Sequence, residues 1–276
     1  MNVPLTVLMP AFNAERYVGE TIESVLAQSY RDFEFLIVND GSSDGTARVL
    51  ASYAGRDARI RVLSHANQGV GRTIDRGLNE ARGDLIAIIE ADDVMLPGRL
   101  EKQVAFMNEH LDYVVVGGYL RIIDPDGRAI GLRRYPTTDD ALRARIVMYD
   151  PLGHPSLMFR RAEALACGSY TARFWTGSDY DFLLRLAQRG RMANLPEPLT
   201  AYRFHPNSIK SQRTLEQLRE TLRIKRVAYE EYGYAESPLA KAVNFGQTVL
   251  TRLPGGFVYW LFTRLFIRRP DASAGG

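Results

Sequence analysis

Sulfur chemistry is nearly absent from this chain: Cys167 is its single cysteine, so no internal disulfide can form and nothing asks for an oxidising compartment. Charge of one sign is equally scarce. Thirty-five basic and 32 acidic residues leave a formal net charge of +3, which demands no polyanionic partner, and nucleic acid is not expected. No run approaches the roughly 20 apolar residues of a membrane span. The start of the chain lacks a basic segment, a long apolar run and a cleavage site, so the expected location is cytoplasmic. No Gly-x-Gly-x-x-Gly follows the first apolar run, which sets aside an NAD-dependent Rossmann enzyme. Pro10–Asn13 is not a Gly-rich triphosphate loop, which sets aside a sugar-nucleotide pyrophosphorylase. What is present is ordinary for a globular protein: 46% hydrophobic and 24% charged residues, enough for a sizeable core.

Short apolar runs alternate with helix-like segments over the first 115 residues, the pattern of βαβ units feeding a mostly parallel sheet. Strands are expected at Leu5–Met9, Glu34–Asn39, Ile60–Ser64 and Leu85–Glu90. Helices are expected at Ala14–Gln28, Gly45–Ala54, Gly69–Ala81 and Pro97–His110. After Asp112 the pattern becomes mixed, with a turn at Asp124-Pro125-Asp126-Gly127 that suggests an antiparallel hairpin. From Gln212 to Tyr232 charged and apolar residues interleave as in an exposed helix, and beyond Pro238 the chain is expected to leave the core. The fold class is therefore α/β, an α/β/α sandwich with a C-terminal helical extension. Its expected parts are a nucleotide-binding half at 1–115, an acceptor half of the same domain at 116–211, and the extension at 212–276.

Chemistry concentrates at the ends of the expected strands. The first runs into Pro10-Ala11-Phe12-Asn13, where proline stops ladder pairing; alone, this is only a strand-to-helix turn. The second ends in Val38-Asn39-Asp40 followed by Gly41-Ser42-Ser43-Asp44-Gly45-Thr46. Asp40 is suited to accept a hydrogen bond from a nucleobase N–H, while Ser43 or Asp44 caps the next helix. Glu90-Ala91-Asp92-Asp93 puts three carboxylates in four positions after a buried strand. Such packed anions repel unless a cation joins them, and hard oxygen ligands suit Mg²⁺ or Mn²⁺, with Asp92 and Asp93 as candidates. The plain alternative is a solvated acidic turn in which Asp93 caps the next helix.

These residues, with Asn67-Gln68-Gly69 and Ala81-Arg82-Gly83-Asp84, resemble the GT-A-fold, family 2 inverting glycosyltransferases across roughly Pro4 to Lys210. The resemblance implies a Rossmann-like fold and transfer of a hexose or N-acetylhexosamine from a nucleotide sugar, UDP first, to an acceptor hydroxyl in polysaccharide biosynthesis. It implies a donor site of Pro10, Ala11, Phe12, Asn13, Asp40, Asn67, Gly69 and Asp92. Ala11 and Asp40 would flank the base, Asp92 would face the sugar and ribose, and Asp93 would hold the metal on the diphosphate. The chain departs from the family pattern at Glu90, usually aspartate, and at Thr73-Ile74-Asp75, where many members carry Ala-Arg-Asn. In Thr176-Gly177-Ser178-Asp179, Asp179 matches the aspartate that serves as general base, although serine replaces the preceding glutamate. Without the resemblance, Asp179 reads as a carboxylate at a helix start. A silent nucleotide-binding module on the same scaffold is the alternative function.

Gly153-His154-Pro155-Ser156 leads into a short apolar strand on the expected acceptor side, and a lone histidine beside proline is more often structural than catalytic. Tyr202-Arg203-Phe204-His205 resembles the family's last active-site segment. There His205 would complete the metal site or contact phosphate, and Arg203 or Lys210 would balance charge. Farther on, Phe257–Phe262 and Leu265–Ile267 are apolar, with Arg252, Arg264, Arg268 and Arg269 nearby. They suit either a helix lying on an anionic membrane, as a peripheral contact near a lipid-linked acceptor, or one covering protein.

Overall fold

The computed structural model describes residues 4–204, 214–258 and 261. The N-terminal half is built from β1 (Leu5–Ala11), α1 (Val18–Leu26), β2 (Phe33–Asn39), α2 (Thr46–Ala54), β3 (Ile60–Ser64), α3 (Val70–Glu80) and β4 (Leu85–Ile88). β1 pairs in parallel with both β2 and β4, and β2 with β3, as the alternating pattern predicts. Strands buried on both faces read as unbroken apolar runs, which is why these four were visible in the sequence. Alternate side chains serve opposite faces. Leu8, Leu36, Ile86 and Ile88 pack with Ile74 and Leu78 of α3 on one side. Val7, Met9, Phe35 and Ile37 pack with Ile22, Val25 and Leu50 of α1 and α2 on the other.

The proline expectation needs correcting, because β1 stays in register through Pro10 opposite Val38 and Ala11 opposite Asn39. The Leu8 carbonyl accepts the Ile89 N–H, so Pro10, two residues on, faces the same side, where pairing with β4 ends at Ile88. A missing N–H there costs no ladder bond. α1 also starts later than expected. Asn13 has φ 47°, and the Ala14 N–H bonds the Thr46 hydroxyl, which holds residues 14–17 in a turn tied to α2. Gly83 explains the Ala-Arg-Gly-Asp motif, since a Cβ there would lie 2.4 Å from the Thr6 nitrogen. Glu34 accepts the Thr6 hydroxyl and the Arg82 N–H, and the Gly83 N–H donates to Thr6. That motif is a close backbone approach to β1.

The second half extends the same sheet with β5 (Val94–Met95), α4 (Arg99–Glu109), β6 (Tyr113–Ile123), β7 (Ala129–Arg133), α5 (Asp139–Arg143), β8 (Met158–Arg160), α6 (Arg161–Ala166), α7 (Ser178–Leu186) and β9 (Arg191–Arg203). The strand order is β3-β2-β1-β4-β8-β6-β9-β5, with β7 on β6 as the expected hairpin. β8 runs antiparallel to β4 and β6, while β9 runs parallel to β6. Arg99 pins this junction. Fully buried, it donates to Gln103, to the carbonyls of Ile88, Pro155 and Leu157, and to the Thr200 hydroxyl. Burial pulls the guanidinium down to about 9, opposed by the charge of Asp93.

The C-terminal helices α8 (Thr214–Glu230) and α9 (Pro238–Leu250) correct two expectations. α8 is no exposed helix, because Leu218, Ile224, Val227 and Ala228 are buried. Nor does the chain leave the core at Pro238, since Ala240 joins the same cluster as Ile224 and Phe182. Lys225, buried on α8, donates to the Met148 carbonyl, Asn244 and Gln247, and so joins α9 to the body. No helix among the described residues is long and apolar enough to cross a membrane.

Candidate active site

The C-terminal ends of β1, β2 and β4 lie side by side, the edge where open α/β sheets bind ligands. Pro10 and Ala11 are buried in β1, whereas Phe12, 51% exposed, and Asn13 stand beyond its end. Asn13 accepts the Ser43 N–H and donates its own N–H to Ser42, locking the two loops together. The expected capping falls to Asp44, which accepts the Thr46 N–H, while Ser43 bonds Asn13. Asp40 is buried and accepts the Gln68 and Gly69 N–H groups, so it shapes the 67–69 loop; each carboxylate oxygen keeps a second lone pair. Asn67 is exposed, and Gly69 adopts φ 86°. A Cβ on Gly69 would come within 3.3 Å of the exposed Trp175 ring, and one on Gly71 would meet the carbonyl of Thr171. The segment before Asp179 therefore abuts the loop held by Asp40.

The carboxylates after β4 take different directions. Asp93 is fully buried and accepts the Arg203 N–H on one oxygen, while Asp92 is half-buried. The α4 cap position is Gly98, so Asp93 does not cap that helix. Glu90 turns instead toward His154, accepting from its Nδ1 at 2.9 Å, and the other ring nitrogen lies 2.9 Å from the Tyr170 hydroxyl. His154 is buried in a 3-10 turn at His154–Ser156. Burial alone would depress its imidazole, but Glu90, through hydrogen bond and charge, with Asp179 and Asp150, raises it above its ordinary value. Asp150 is pushed up to about 6, first by desolvation and then by the charge of Asp179. Tyr170 is driven well upward by burial and by Asp179 and Glu90. Tyr202 is raised by burial and by Asp93, Asp92 and Glu90. Glu90 acts on both tyrosines: its charge raises Tyr170 together with Asp179, and Tyr202 together with Asp93 and Asp92.

Asp179 is half-buried in the first turn of α7, after Gly177, which takes the left-handed cap position. One of its oxygens accepts the Tyr180 N–H. Arg203 is not available to a diphosphate. Only 2% exposed, it donates to the carbonyls of Asp92, Asp124 and Pro125 and to Glu20, which corrects the charge-balancing expectation. Its role is to hold the Asp92–Asp93 loop against β9. His205 and Lys210 lie outside the described residues, as does most of the apolar tail. The oxygen donors of Asp92 and Asp93 are the chemistry Mg²⁺ or Mn²⁺ takes, and such ions keep positions for phosphate oxygens and water. Among the described residues no group of three His, Cys, Asp or Glu forms a self-sufficient metal site. Asp150, Tyr170 and Trp175 escaped the reading of the sequence. Asp150, four residues before His154, left only a faint signal, and Tyr170 left none.

Comparisons with known proteins bear on the fold and the family. TarS of S. aureus, in complex with UDP-GlcNAc, matches with a TM-score of 0.65 at 20% identity, over 81% of this chain and 66% of that one. A mannosyltransferase of Pyrobaculum calidifontis, in complex with GDP-Man and Mn2+, matches at 0.63 and 14% identity, over 92% and 71%. The fold is accordingly that of the GT-A glycosyltransferases. Residues 6–166 match the family described as glycosyl transferase family 2. The O-antigen biosynthesis glycosyltransferase WbnJ of Escherichia coli is 31% identical over 74% of this chain and 81% of its own length. The chain belongs to glycosyl transferase family 2.

Proposed function

We propose that this chain transfers a hexose or N-acetylhexosamine from a UDP-sugar to an acceptor hydroxyl, with inversion at the anomeric carbon, in glycan or polysaccharide biosynthesis. The observation that supports the reading is the hydrogen-bonded chain Glu90–His154–Tyr170, on which the charges of Asp179 and Asp150 also act. Asp179 takes the proton of the acceptor hydroxyl as that oxygen attacks opposite the departing diphosphate, and one in-line displacement inverts the centre. Pro10, Ala11, Phe12, Asn13, Asp40, Asn67, Gly69 and Asp92 hold the donor, and Asp93 with His205 holds the divalent ion. Mn²⁺ or Mg²⁺ bound there supplies positive charge to the leaving diphosphate. The 1–115 half binds the nucleotide and the 116–211 half receives the acceptor. Relatives named for O-antigen and amylovoran biosynthesis support the polymer context. The fold alone does not choose the base, since neighbours carry UDP-GlcNAc and GDP-Man.

A thermal-shift screen of UDP-, dTDP- and GDP-sugars with Mn²⁺, followed by turnover of the best binder, tests this; stabilisation by GDP-sugars alone would overturn the UDP assignment. Ser178, where the resembled family pattern has glutamate, supports a second reading as a silent binding module. Donor binding without Mn²⁺-dependent hydrolysis or transfer would favour it. The extension at 212–276 is proposed to touch the inner face of the membrane near a lipid-linked acceptor. Leu239, Phe245, Val249 and Phe257 are exposed, and Arg264, Arg268 and Arg269 follow in the sequence. Sedimentation with anionic vesicles that is unchanged after deletion of Gly255–Gly276 removes that part.

A further inference from the structure

His154 is placed more deliberately than a core histidine requires. Pro155 and Gly153 fix its 3-10 turn, and a Cβ on Gly153 would press within 2.9 Å of Leu120. The Ser156 hydroxyl donates to the Gly153 carbonyl and also reaches Gly118, anchoring the turn to β6. From this base the imidazole spans two segments. Nδ1 meets Glu90 in the loop after β4, and Nε2 meets Tyr170 in the stretch leading to α7. Tyr170 is itself held face to face with Phe182 of α7, with ring centroids 4.0 Å apart. Glu90 makes this contact with one methylene more than the aspartate of the resembled family pattern.

We propose that His154 is a positioning residue for the acceptor base: clamped between Glu90 and Tyr170, it fixes the Asp179 segment against the donor-side loop and gives Asp179 a positively charged neighbour. The inference rests on Asp179 being the base. Glu90 and Tyr170 hydrogen-bond to the ring, the charges of Asp179 and Asp150 act on it, and Arg133 acts on Asp150 from β7. The Glu90 carboxylate on Nδ1, with the charges of Asp179 and Asp150, outweighs burial and raises the imidazole above its ordinary value. A carboxylate near a fixed cation remains ionised to lower pH, and an ionised base is the form that accepts a proton.

The test compares His154→Gln, Glu90→Gln and Tyr170→Phe in the full chain. With the UDP-sugar that turns over fastest and saturating Mn²⁺, the acid limb of the pH–rate profile should move up by about one unit in His154→Gln. In Tyr170→Phe, which keeps the charge, the limb should stay in place. An unmoved limb in His154→Gln, or equal movement in both variants, overturns the proposal in favour of simple packing. Should His154→Gln fail to fold, an imidazole NMR titration carries the decision, because loss of the Glu90 carboxylate should lower the His154 midpoint in Glu90→Gln. An unchanged midpoint there shows that the clamp is absent. Full turnover by Asp179→Asn would instead remove the base assignment, and the NMR titration would still report on the clamp.

Discussion

A carboxylate works as a base only where it is ionised, aimed and reachable, and for the proposed base, Asp179, those conditions would be set by its neighbours. Half-exposed in the first turn of α7, it gains from the helix N-terminus and stands beside Asp150 and the raised imidazole of His154. Asp150 shows the opposite outcome in the same place, since burial and the charge of Asp179 lift it to about 6. Asp179→Asn removes the proton acceptor and keeps the shape. We expect turnover to fall by about 10²- to 10⁴-fold while UDP with Mn²⁺ still raises the melting temperature as in the parent chain. Near-parental turnover would place the base elsewhere. Arg203 teaches the converse at this scale, because an arginine beside a diphosphate site reads as a phosphate ligand, yet its donors are all directed at protein acceptors.

Among the elements, legibility followed how local the cause of each one is. β1 to β4 were readable because each is a short apolar run with turn residues behind it, and β3 ends where the pattern puts it. β9 was only partly readable. It contains Pro196 and Pro198, which argue against a strand, but its pairing with β6 jumps from Gly118–Leu195 to Tyr119–Pro198, and the prolines sit at that irregularity. α8 looked exposed because charged residues interleave with the apolar ones along its length, and only tertiary packing shows that Leu218, Ile224 and Val227 face inward. Lys225 makes that docking pH-dependent. Burial lowers it from 10.5 to about 8, so between those values the unfolded chain holds more protons and the contribution of Lys225 to stability rises with pH. Relative to Lys225→Met, the parent should gain about 2 kcal/mol between about pH 8 and about pH 10 in chemical denaturation. A flat difference would show that its three oxygen acceptors keep the ammonium charged throughout.

At the level of the whole molecule, the site is a property of topology. Residues near 40, 92 and 179 are remote in sequence, and the sheet brings them together because β1, β2 and β4 end at one edge while the 171–178 stretch abuts the Asp40 loop at Gly69 and Gly71. Motif order alone made the first two clusters legible. The His154–Tyr170 bridge was not, since it depends on a turn and a loop that carry no periodic signal. A donor site built on Asp40, Asp92 and Asp93, as proposed, would bind an anionic diphosphate only when a cation neutralises the contact, so donor and metal must bind in a linked way. A ligand at a hundredfold excess over its Kd stabilises the folded chain by about 2.7 kcal/mol, which at this size is a rise of about 5 to 10 °C. We expect UDP to produce that rise in the presence of Mn²⁺ and little of it without. In Asp93→Asn the Mn²⁺-dependent part should vanish, whereas Asp179→Asn should retain it, which separates a lost metal ligand from a lost base. Undiminished Mn²⁺ dependence in Asp93→Asn would mean that the ion is held by other groups, and Asp93 would then serve only to fasten β9 through the Arg203 N–H.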